Sequence, residues 1–589
     1  MSTKDYQDLN NVVLLNTFQI DKKRYRVFYN NETLIWEKEK SNKNKISIPI
    51  HDVISVSYPN RKNSSTTSTP QHTQQAFPVL NTTTSYNSVE IQNNSINNVD
   101  DFRCFTINYA KRCIDPKVQD VGSASSKKSC HNINNWRIHS ITLHNNDKYI
   151  IKEWHDTLSK ILNSLKRPRK LLLFINPYGG KKNALQLYEK YAKPIFQMAN
   201  VDVSVIISQR PNQIFDLVMQ QHLDQFDGIA CSGGDGTFSE LFNGLIYRKM
   251  MNEHSSSLEN NEQLNIDFDN IQTPDIPCGI IPAGSTDTIA YCMHGTTDVK
   301  TCIIHIVLGQ TTGLDISSIS TDRGLIKFYA SVVAYGYLGD IAFENDQYRF
   351  LGPKRYEYVG FKKILMNRGY DAELMLLQEP ESNSSQVNEN SNVCDNEQEL
   401  KCYENCNVCS KPRTYNNNNN NNTDVIKPDN EGDEKYKRIT GKFFMVNSAN
   451  ISCACERSPS GFSPYCHLGD GYMHLVLVRH GGFFQNIKLL LKLASKKGQI
   501  AEYPFVELYR TKKFYFKALN SNSEGSLTDS TLPISVGPNR YSSVWNCDGE
   551  VVQDTDVVVR SHRQLLTVYR RGAISEDAVE SSNGCCCCC

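Results

Sequence analysis

A chain of 589 residues is too long for one hydrophobic core, and its length implies roughly two to four domains. Its 64 Lys and Arg against 63 Asp and Glu leave a net charge of +1, which gives nucleic acid no electrostatic hold. No run of about 18 apolar residues occurs and the first ten residues are polar, which argues against a spanning helix and a secretory leader. The 20 cysteines are accordingly read as thiols of a reducing compartment.

The first region, residues 1–165, reads as strands. "TFQIDKKRYRVFYN", "TLIWEKE", "KISIPIHDVISVSY", "DFRCFTINYA" and "WRIHSITLHN" alternate apolar with polar residues or are β-branched and aromatic. "KYIIKEWHDTLSKILNSL" follows, with Ile151, Trp154, Leu158, Ile161 and Leu162 at helical spacing. A small β domain closed by one C-terminal helix resembles a pleckstrin-homology domain. Lys22, Lys23, Arg24 and Arg26 would meet anionic lipid heads, phosphoinositides among them, or form a solvated hairpin face.

Polar tracts at 61–98, 252–270 and 379–437, the last with seven consecutive asparagines, cannot bury enough apolar surface to offset their chain entropy. They are expected to be disordered insertions, as is the tail at 573–589.

From residue 166 to about 314 strands and helices alternate. "KLLLFINP", "VDVSVIIS", "FDGIACS" and "CGIIPA" read as buried strands, each followed by a helical pattern, which predicts a parallel sheet covered on both faces. Ligands of such sheets bind beyond the carboxyl ends of the strands. Three of those ends carry glycine: "NPYGGKK" (176–182), "SGGDGT" (232–237) and "PAGSTD" (282–287). Glycine lets backbone approach a ligand, and each loop feeds a helix whose free N–H groups favour phosphate. Three such loops on one sheet edge describe a nucleotide phosphate site. Neither a Walker loop nor the protein-kinase motif set is present.

These loops resemble the lipid kinase family of diacylglycerol, sphingosine and ceramide kinases. "YGYLGDIAFENDQYRFLGPKRYEYVG", "CYENCNVC", "NSANISCACERSPSGFSP", "HLGDGYMHLVLVR" and "WNCDGE" extend the resemblance to the ceramide kinase branch. The resemblance implies the diacylglycerol kinase catalytic fold: the α/β nucleotide-binding domain, then a β-sandwich domain over 315–572. It implies ATP and Mg2+ as cofactors, ceramide as substrate, and a cytoplasmic enzyme held peripherally at Golgi or plasma membrane. Sphingosine or diacylglycerol kinase, an NAD kinase-like enzyme and an inactive lipid-binding scaffold are the alternatives.

Carried onto this chain, the resemblance makes Asp235 the general base for the lipid hydroxyl, with Gly233, Gly234 and Gly236 beside the substrate. Nucleotide contacts fall on Asn176, Pro177, Tyr178, Ser208, Gln209, Arg210, Pro211, Asn212, Gly284, Ser285, Thr286, Asp548, Gly549 and Glu550. Arg349 and Arg355 would steady phosphoryl charge. Glu240 is either a nucleotide ligand or the partner of Thr237 in a capping box, and Ser285 and Thr286 are either ligands or caps. Ala342 stands where sphingosine kinases carry an acid for the substrate's ammonium. A neutral amide needs no such partner, which favours ceramide.

Cys402, Cys406 and Cys409, with Cys453 or Cys455 as a fourth donor, suit structural zinc or remain reduced thiols. Residues 481–499 form a basic amphipathic pattern, with Lys488, Lys492 and Lys496 on one stripe and Phe484, Ile487 and Leu491 on another. It would meet a membrane or calmodulin, with Ca2+ as the regulatory ion, or pack on the core. The terminal Cys585 to Cys589 would be acylated or bare.

Overall fold

The computed structural model describes residues 12–39, 45–59, 102–113, 132–254, 271–378, 401–413, 436–493, 495, 500–519 and 542–575. The tract at 61–98, residues 255–270, Lys496 and the terminal cysteines lie outside them. Two compact units form: residues 1–111 with 138–165, and residues 112–137 with 166–589. Residues 112–137 join the second unit through contacts such as the Trp136 N–H donated to Thr301 Oγ1 at 2.9 Å and the Arg137–Asp298 pair at 2.7 Å.

In the first unit the alternating sequence yields β1 (Leu14–Ile20), β2 (Lys23–Asn30), β3 (Thr33–Lys38), β4 (Lys45–Pro49), β5 (Val53–Ser57), β6 (Cys104–Arg112) and β7 (Trp136–His144). They form one seven-stranded sheet in the order β4-β3-β2-β1-β7-β6-β5. Helix α1 (Lys148–Ser164) is capped by Asp147, whose carboxylate accepts the Tyr149 N–H at 2.8 Å. The five apolar residues expected on its inner face are all buried, and Trp154 meets Phe18 edge-on at 5.1 Å. At about 1.5–3 kcal/mol per buried side chain, this face rather than helix propensity holds α1 on the sheet. At the β1–β2 turn Arg24 pairs with Glu39 and Arg26 with Glu37, both on the surface.

In the second unit Leu171–Ile175 of β8 (Lys170–Ile175) are wholly buried, as a parallel strand covered on both faces must be. β9 (Asp202–Ile207), β10 (Gly228–Gly233) and β11 (Cys278–Pro282) join it in the spatial order β9-β8-β10-β11, all parallel. The chain runs from β8 to one side and later returns to its other side, so a topological switch point falls between β8 and β10.

Between β8 and β9 the expected helix forms and carries a π-helical turn: α2 (Ala184–Leu187) continues through Tyr188–Ala192 into α3 (Lys193–Met198), with Pro194 in the first turn of α3. Proline lacks the N–H that a regular α-helix would use there. The other crossovers are α4 (Gln213–Gln220) and α5 (Asp235–His254). β11 leads into α6 (Thr288–His294) and α7 (Val299–Leu308).

The remaining strands are β12 (Thr311–Thr321), β13 (Gly324–Tyr329), β14 (Val332–Gly336), β15 (Tyr370–Leu377), β16 (Tyr436–Ala449), β17 (Met473–Arg479), β18 (Val506–Thr511), β19 (Lys513–Ala518), β20 (Trp545–Cys547), β21 (Glu550–Val552) and β22 (Val557–Tyr569). The helices among them are α8 (Tyr337–Asn345), α9 (Arg355–Met366) and α10 (Phe483–Leu493).

β22, near the C-terminus, pairs in parallel with β11 and antiparallel with β12 and β19. One sheet thereby runs without a break from the parallel strands into the antiparallel ones. Its core mixes Leu172 and Phe174 with Leu314, Ile451, Leu566 and Val568, so residues far apart in sequence share one interior.

The insertion expected over 379–437 is interrupted. Residues 401–413 are placed, with Cys402 and Cys409 packed against that core, and β16 begins at Tyr436.

Candidate active site

The three glycine loops leave β8, β10 and β11 level with one another: Ser232 lies opposite Ile175, and Gly233 opposite Pro282. Asn176 organises the first. Its Oδ1 accepts the N–H groups of Tyr178 and Gly179 at 3.0 and 3.2 Å, and its Nδ2 donates to Thr237 Oγ1 at 3.0 Å. The ring of Tyr178 stands 64% exposed at the edge.

The glycines divide into two kinds. A Cβ on Gly180 would lie 2.5 Å from both Ala283 O and Gly284 Cα. One on Gly284 would lie 2.6 Å from Gly234 Cα, and one on Gly234 3.0 Å from Gly284 Cα. These three let the loops touch backbone to backbone. Gly236 differs, because nothing lies within 4 Å of where its Cβ would be.

Asp235 is the first residue of α5, yet its carboxylate serves another helix. It accepts the N–H groups of Thr288 and Ile289, at the start of α6, at 3.0 and 2.9 Å. Burial is the main influence on it and lifts its pKa to about 6. Those two N–H groups oppose the rise, and the nearby Asp287 adds to it. Asp287 accepts the Gly284 N–H at 2.8 Å and is likewise raised by burial to about 6. Ser285 and Thr286 cap nothing: α6 starts at Thr288, its first N–H groups go to Asp235, and both residues are exposed.

The capping box does not form either. α5 begins at Asp235, which places Thr237 inside the helix. Glu240 reaches across to α4, where its carboxylate accepts the Ile214 N–H at 3.3 Å. Around it, Ser208 is buried and continues the β8–β9 pairing through its N–H to Ile175 O at 2.9 Å. Gln213 Oε1 accepts the N–H groups of Gln209 and Arg210 at 2.5 and 3.3 Å, and Arg210 pairs with Asp216 at 2.6 Å. Pro211 leads to Asn212, which takes a left-handed φ of 58° ahead of α4.

The DGE segment is the turn of the β20–β21 hairpin. Asp548 and Gly549 both have positive φ, 47° and 92°, as a tight two-residue turn requires. The Asp548 carboxylate accepts the N–H groups of Ala330, Ser331 and Val332 at 2.8, 3.1 and 3.0 Å. Burial lifts it to about 6, with Asp235 adding a smaller upward push. Glu550 pairs with Lys327 of β13 at 2.7 Å, and Glu240 feels both of those charges. Lys327 has no sequence signal, because a single lysine in "GLIKFY" forms no pattern.

Comparison with known proteins bears on this arrangement. The family model described as the diacylglycerol kinase catalytic domain matches residues 170–319, and that described as the ceramide kinase C-terminal domain matches 382–589. The ceramide kinase of Mus musculus is 32% identical over 454 residues, covering 75% of this chain and 82% of its own. The ceramide kinase of Arabidopsis thaliana is 28% identical, over 74% and 78%. A solved diacylglycerol kinase from Bacillus anthracis aligns at 12% identity and a TM-score of 0.39, over 68% of this chain and 97% of its own.

The chain belongs to the ceramide kinase family.

It is a lipid kinase with the diacylglycerol kinase catalytic fold. Within this ceramide kinase family member, Ala342 lies half-buried on α8. The acid two residues before it, Asp340, is buried and already accepts the hydroxyls of Tyr370 and Ser543. Arg355 heads α9, and Arg349 lies in the 3-10 segment before it, with its side chain outside the described residues.

Cys402, Cys406 and Cys409 do converge, but the fourth donor beside them is His467 rather than Cys453 or Cys455. Cys453 is spent elsewhere, its thiol donating to Ile451 O at 3.4 Å. No spacing rule ties a lone histidine to a distant Cys-x3-Cys-x2-Cys run, so sequence alone could not find it.

Proposed function

We propose that the protein transfers the γ-phosphoryl group of ATP to the primary hydroxyl of ceramide, giving ceramide 1-phosphate, with Asp235 as general base. The observation that carries this reading is the Asp235 carboxylate. It belongs to a half-buried residue, is lifted by burial to about 6, and is followed in the chain by Gly236, whose Cβ position is open. A carboxylate has about four acceptor positions, and two N–H donors leave room for a substrate hydroxyl. The N–H groups of α6 hold it in one orientation, and the hydroxyl's proton passes to it as the phosphoryl group leaves ATP.

Mg2+ supplies neutralisation of phosphate charge when bound. Asp235, Asp287 and Asp548 suit a divalent cation nearby, since the charge on Asp287 raises Asp235 and that on Asp235 raises Asp548. On this reading Ser285 and Thr286 present free hydroxyls to the nucleotide, and Lys327 balances Glu240 and Glu550 beside it.

Ceramide is favoured over sphingosine because no acid awaits an ammonium. Position 342 is alanine, and Asp340 is occupied by two hydroxyls. Diacylglycerol, also neutral, remains the nearest competitor.

We also place the enzyme at a membrane surface, without a spanning helix: among the described residues no helix is long and apolar enough to cross a bilayer. α10 buries Asn486, Leu489 and Leu493 while leaving Phe484 83% and Leu491 68% exposed. That outer face suits insertion among headgroups at the Golgi or plasma membrane. Lys488 lies over the Tyr503 ring and Lys492 pairs with Glu502, which leaves calmodulin, and Ca2+ through it, the weaker use of this helix. The first unit would act as a pleckstrin-homology-like module for phosphoinositide.

The test is transfer of labelled γ-phosphate from ATP to ceramide, sphingosine, diacylglycerol and NAD in parallel. Ceramide should be the best acceptor; a clear preference for any other overturns the substrate assignment.

A further inference from the structure

Four metal-ligating side chains that the phosphoryl-transfer site does not use come together. The donor atoms of Cys402, Cys406, Cys409 and His467 all lie within 4.8 Å of one another. Cys402 Sγ stands 3.6 Å from Cys409 Sγ, and Cys406 Sγ stands 3.2 Å from His467 Nδ1. In a tetrahedral zinc site with Zn–S of about 2.3 Å, neighbouring sulfurs sit about 3.8 Å apart, and a nitrogen somewhat closer. The spacing therefore admits one ion with little movement.

The surroundings explain what an ion would do there. Residues 401–413 have almost no regular secondary structure and lie between two long polar tracts. Such a segment cannot fix itself by burial alone. It is held by contacts to several neighbours, among them Arg413, which donates to Ile271 O at 2.7 Å. Arg112 pairs with Glu404 at 2.7 Å, and the Glu404 N–H donates to Ala573 O at 2.7 Å. Gln564 Nε2 reaches Cys409 O and Lys411 O at 2.9 and 3.0 Å, and also Gly469 O at 2.9 Å.

His467 opens the short loop that Gly469 belongs to. That loop is fastened to the sheet through Asp315 on β12: Leu468 O accepts the Asp315 N–H at 2.7 Å, and Asp315 Oδ2 accepts the Gly471 N–H at 2.6 Å. Three thiolates on the loose segment thus face one imidazole on a fixed loop.

We propose that Cys402, Cys406, Cys409 and His467 bind one structural zinc ion, which fastens residues 401–413 to the loop at 467–471 and so to the β12–β22 pair. All four positions are filled by protein, which makes the site closed and structural rather than catalytic. The thiols bind as thiolates and release their protons to solvent, and the ion exchanges no electrons.

The test uses the full chain without a histidine tag. Purified protein should carry about one zinc per chain by elemental mass spectrometry, and stripping it with a chelator should lower Tm by about 5 °C or more, restored by added zinc. Cobalt loaded in place of zinc should give the visible bands of tetrahedral thiolate coordination.

His467→Ala should lose the metal, and His467→Cys, which restores a fourth soft donor, should keep it. Should His467→Ala fail to fold, the cobalt spectrum and zinc content of wild type still decide the matter. Metal-free protein with an unchanged Tm, a Cys402–Cys409 disulfide in freshly purified material, or full zinc retention in His467→Ala would each overturn the assignment.

Discussion

The chain treats the dipeptide Asp-Gly in opposite ways at residues 235–236 and 548–549 of the second unit. Asp235-Gly236 opens a 20-residue helix, whereas Asp548-Gly549 turns a hairpin with both residues at positive φ. The chemistry converges nonetheless. Both residues are half-buried, both carboxylates accept backbone N–H groups from another element, and desolvation lifts both to about 6. Both glycines border open space.

The difference lies in how much of each carboxylate is used. Asp548 is held by three N–H groups ahead of and at the start of β14, and Asp235 by two at the start of α6. Asp548 has fewer open acceptor positions, whereas Asp235 keeps more capacity for a further hydrogen bond or a proton. These partners come from the elements that each loop meets and not from local sequence.

The largest expected effect tests that division. Asp235→Asn keeps the side-chain shape and removes the base, so turnover should fall by about 10²–10⁴-fold with ATP binding retained. Asp548→Asn should lower Tm, since replacing a charged acceptor forfeits about 1.5–3 kcal/mol of hydrogen bonding, and should cost less turnover than Asp235→Asn. If Asp548→Asn costs more turnover than Asp235→Asn, the two roles are exchanged.

The glycines sharpen the same contrast. Gly284→Ala forces a Cβ to 2.6 Å from Gly234 Cα and should cost about 1–3 kcal/mol, read as a lower melting temperature. Gly236→Ala meets nothing within 4 Å and replaces a helical glycine, a change that can add up to about 1 kcal/mol. That variant should melt no lower than wild type while turning over more slowly, because its methyl group occupies the open space. Equal losses of Tm in both variants would refute the division of glycines into packing and open positions.

The pH dependence follows from the raised carboxylates, Asp287 included. In the unfolded chain these acids ionise near pH 4, in the folded protein near 6. The folded state binds more protons between those values, so the stability they contribute is complete below about 4 and is lost as pH rises through about 6. Each two-unit shift corresponds to about 3 kcal/mol as an upper figure. The pH 5-to-7 change in unfolding free energy of the nucleotide-free protein should shrink in Asp235→Asn. Activity runs the other way: kcat/KM should fall below about pH 6 as Asp235 takes up a proton.

The smallest effect is expected at Lys327. Lys327→Met leaves Glu550 without its partner and should raise the KM for ATP by about five-fold or less, in keeping with the value of a partly exposed pair. An unchanged KM would remove Lys327 from the nucleotide site.

Much of this molecule is legible in its amino-acid sequence. Period-two runs mark the first sheet, and the apolar stripe of 148–164 marks the face of α1 that is buried. Continuous apolar runs between glycine loops mark the buried strands of the parallel sheet. These features depend on neighbours a few residues away, so sequence carries them.

Other features depend on contacts between distant segments. Asp235 caps α6, Glu240 caps α4 rather than its own helix, and Gly180 and Gly284 exist to let two loops touch. β22 binds the parallel and antiparallel strands into one sheet. Residues 401–413 share the polar tract's composition but are placed, because two of their cysteines reach the core and the side chains of Glu404 and Arg413 reach partners outside the segment. The sequence by itself determined which residue types and local elements were available. The pairing of a carboxylate with a particular helix end, or of three thiols with a histidine, was decided by the tertiary structure, because such pairings follow from burial and from which strands lie side by side.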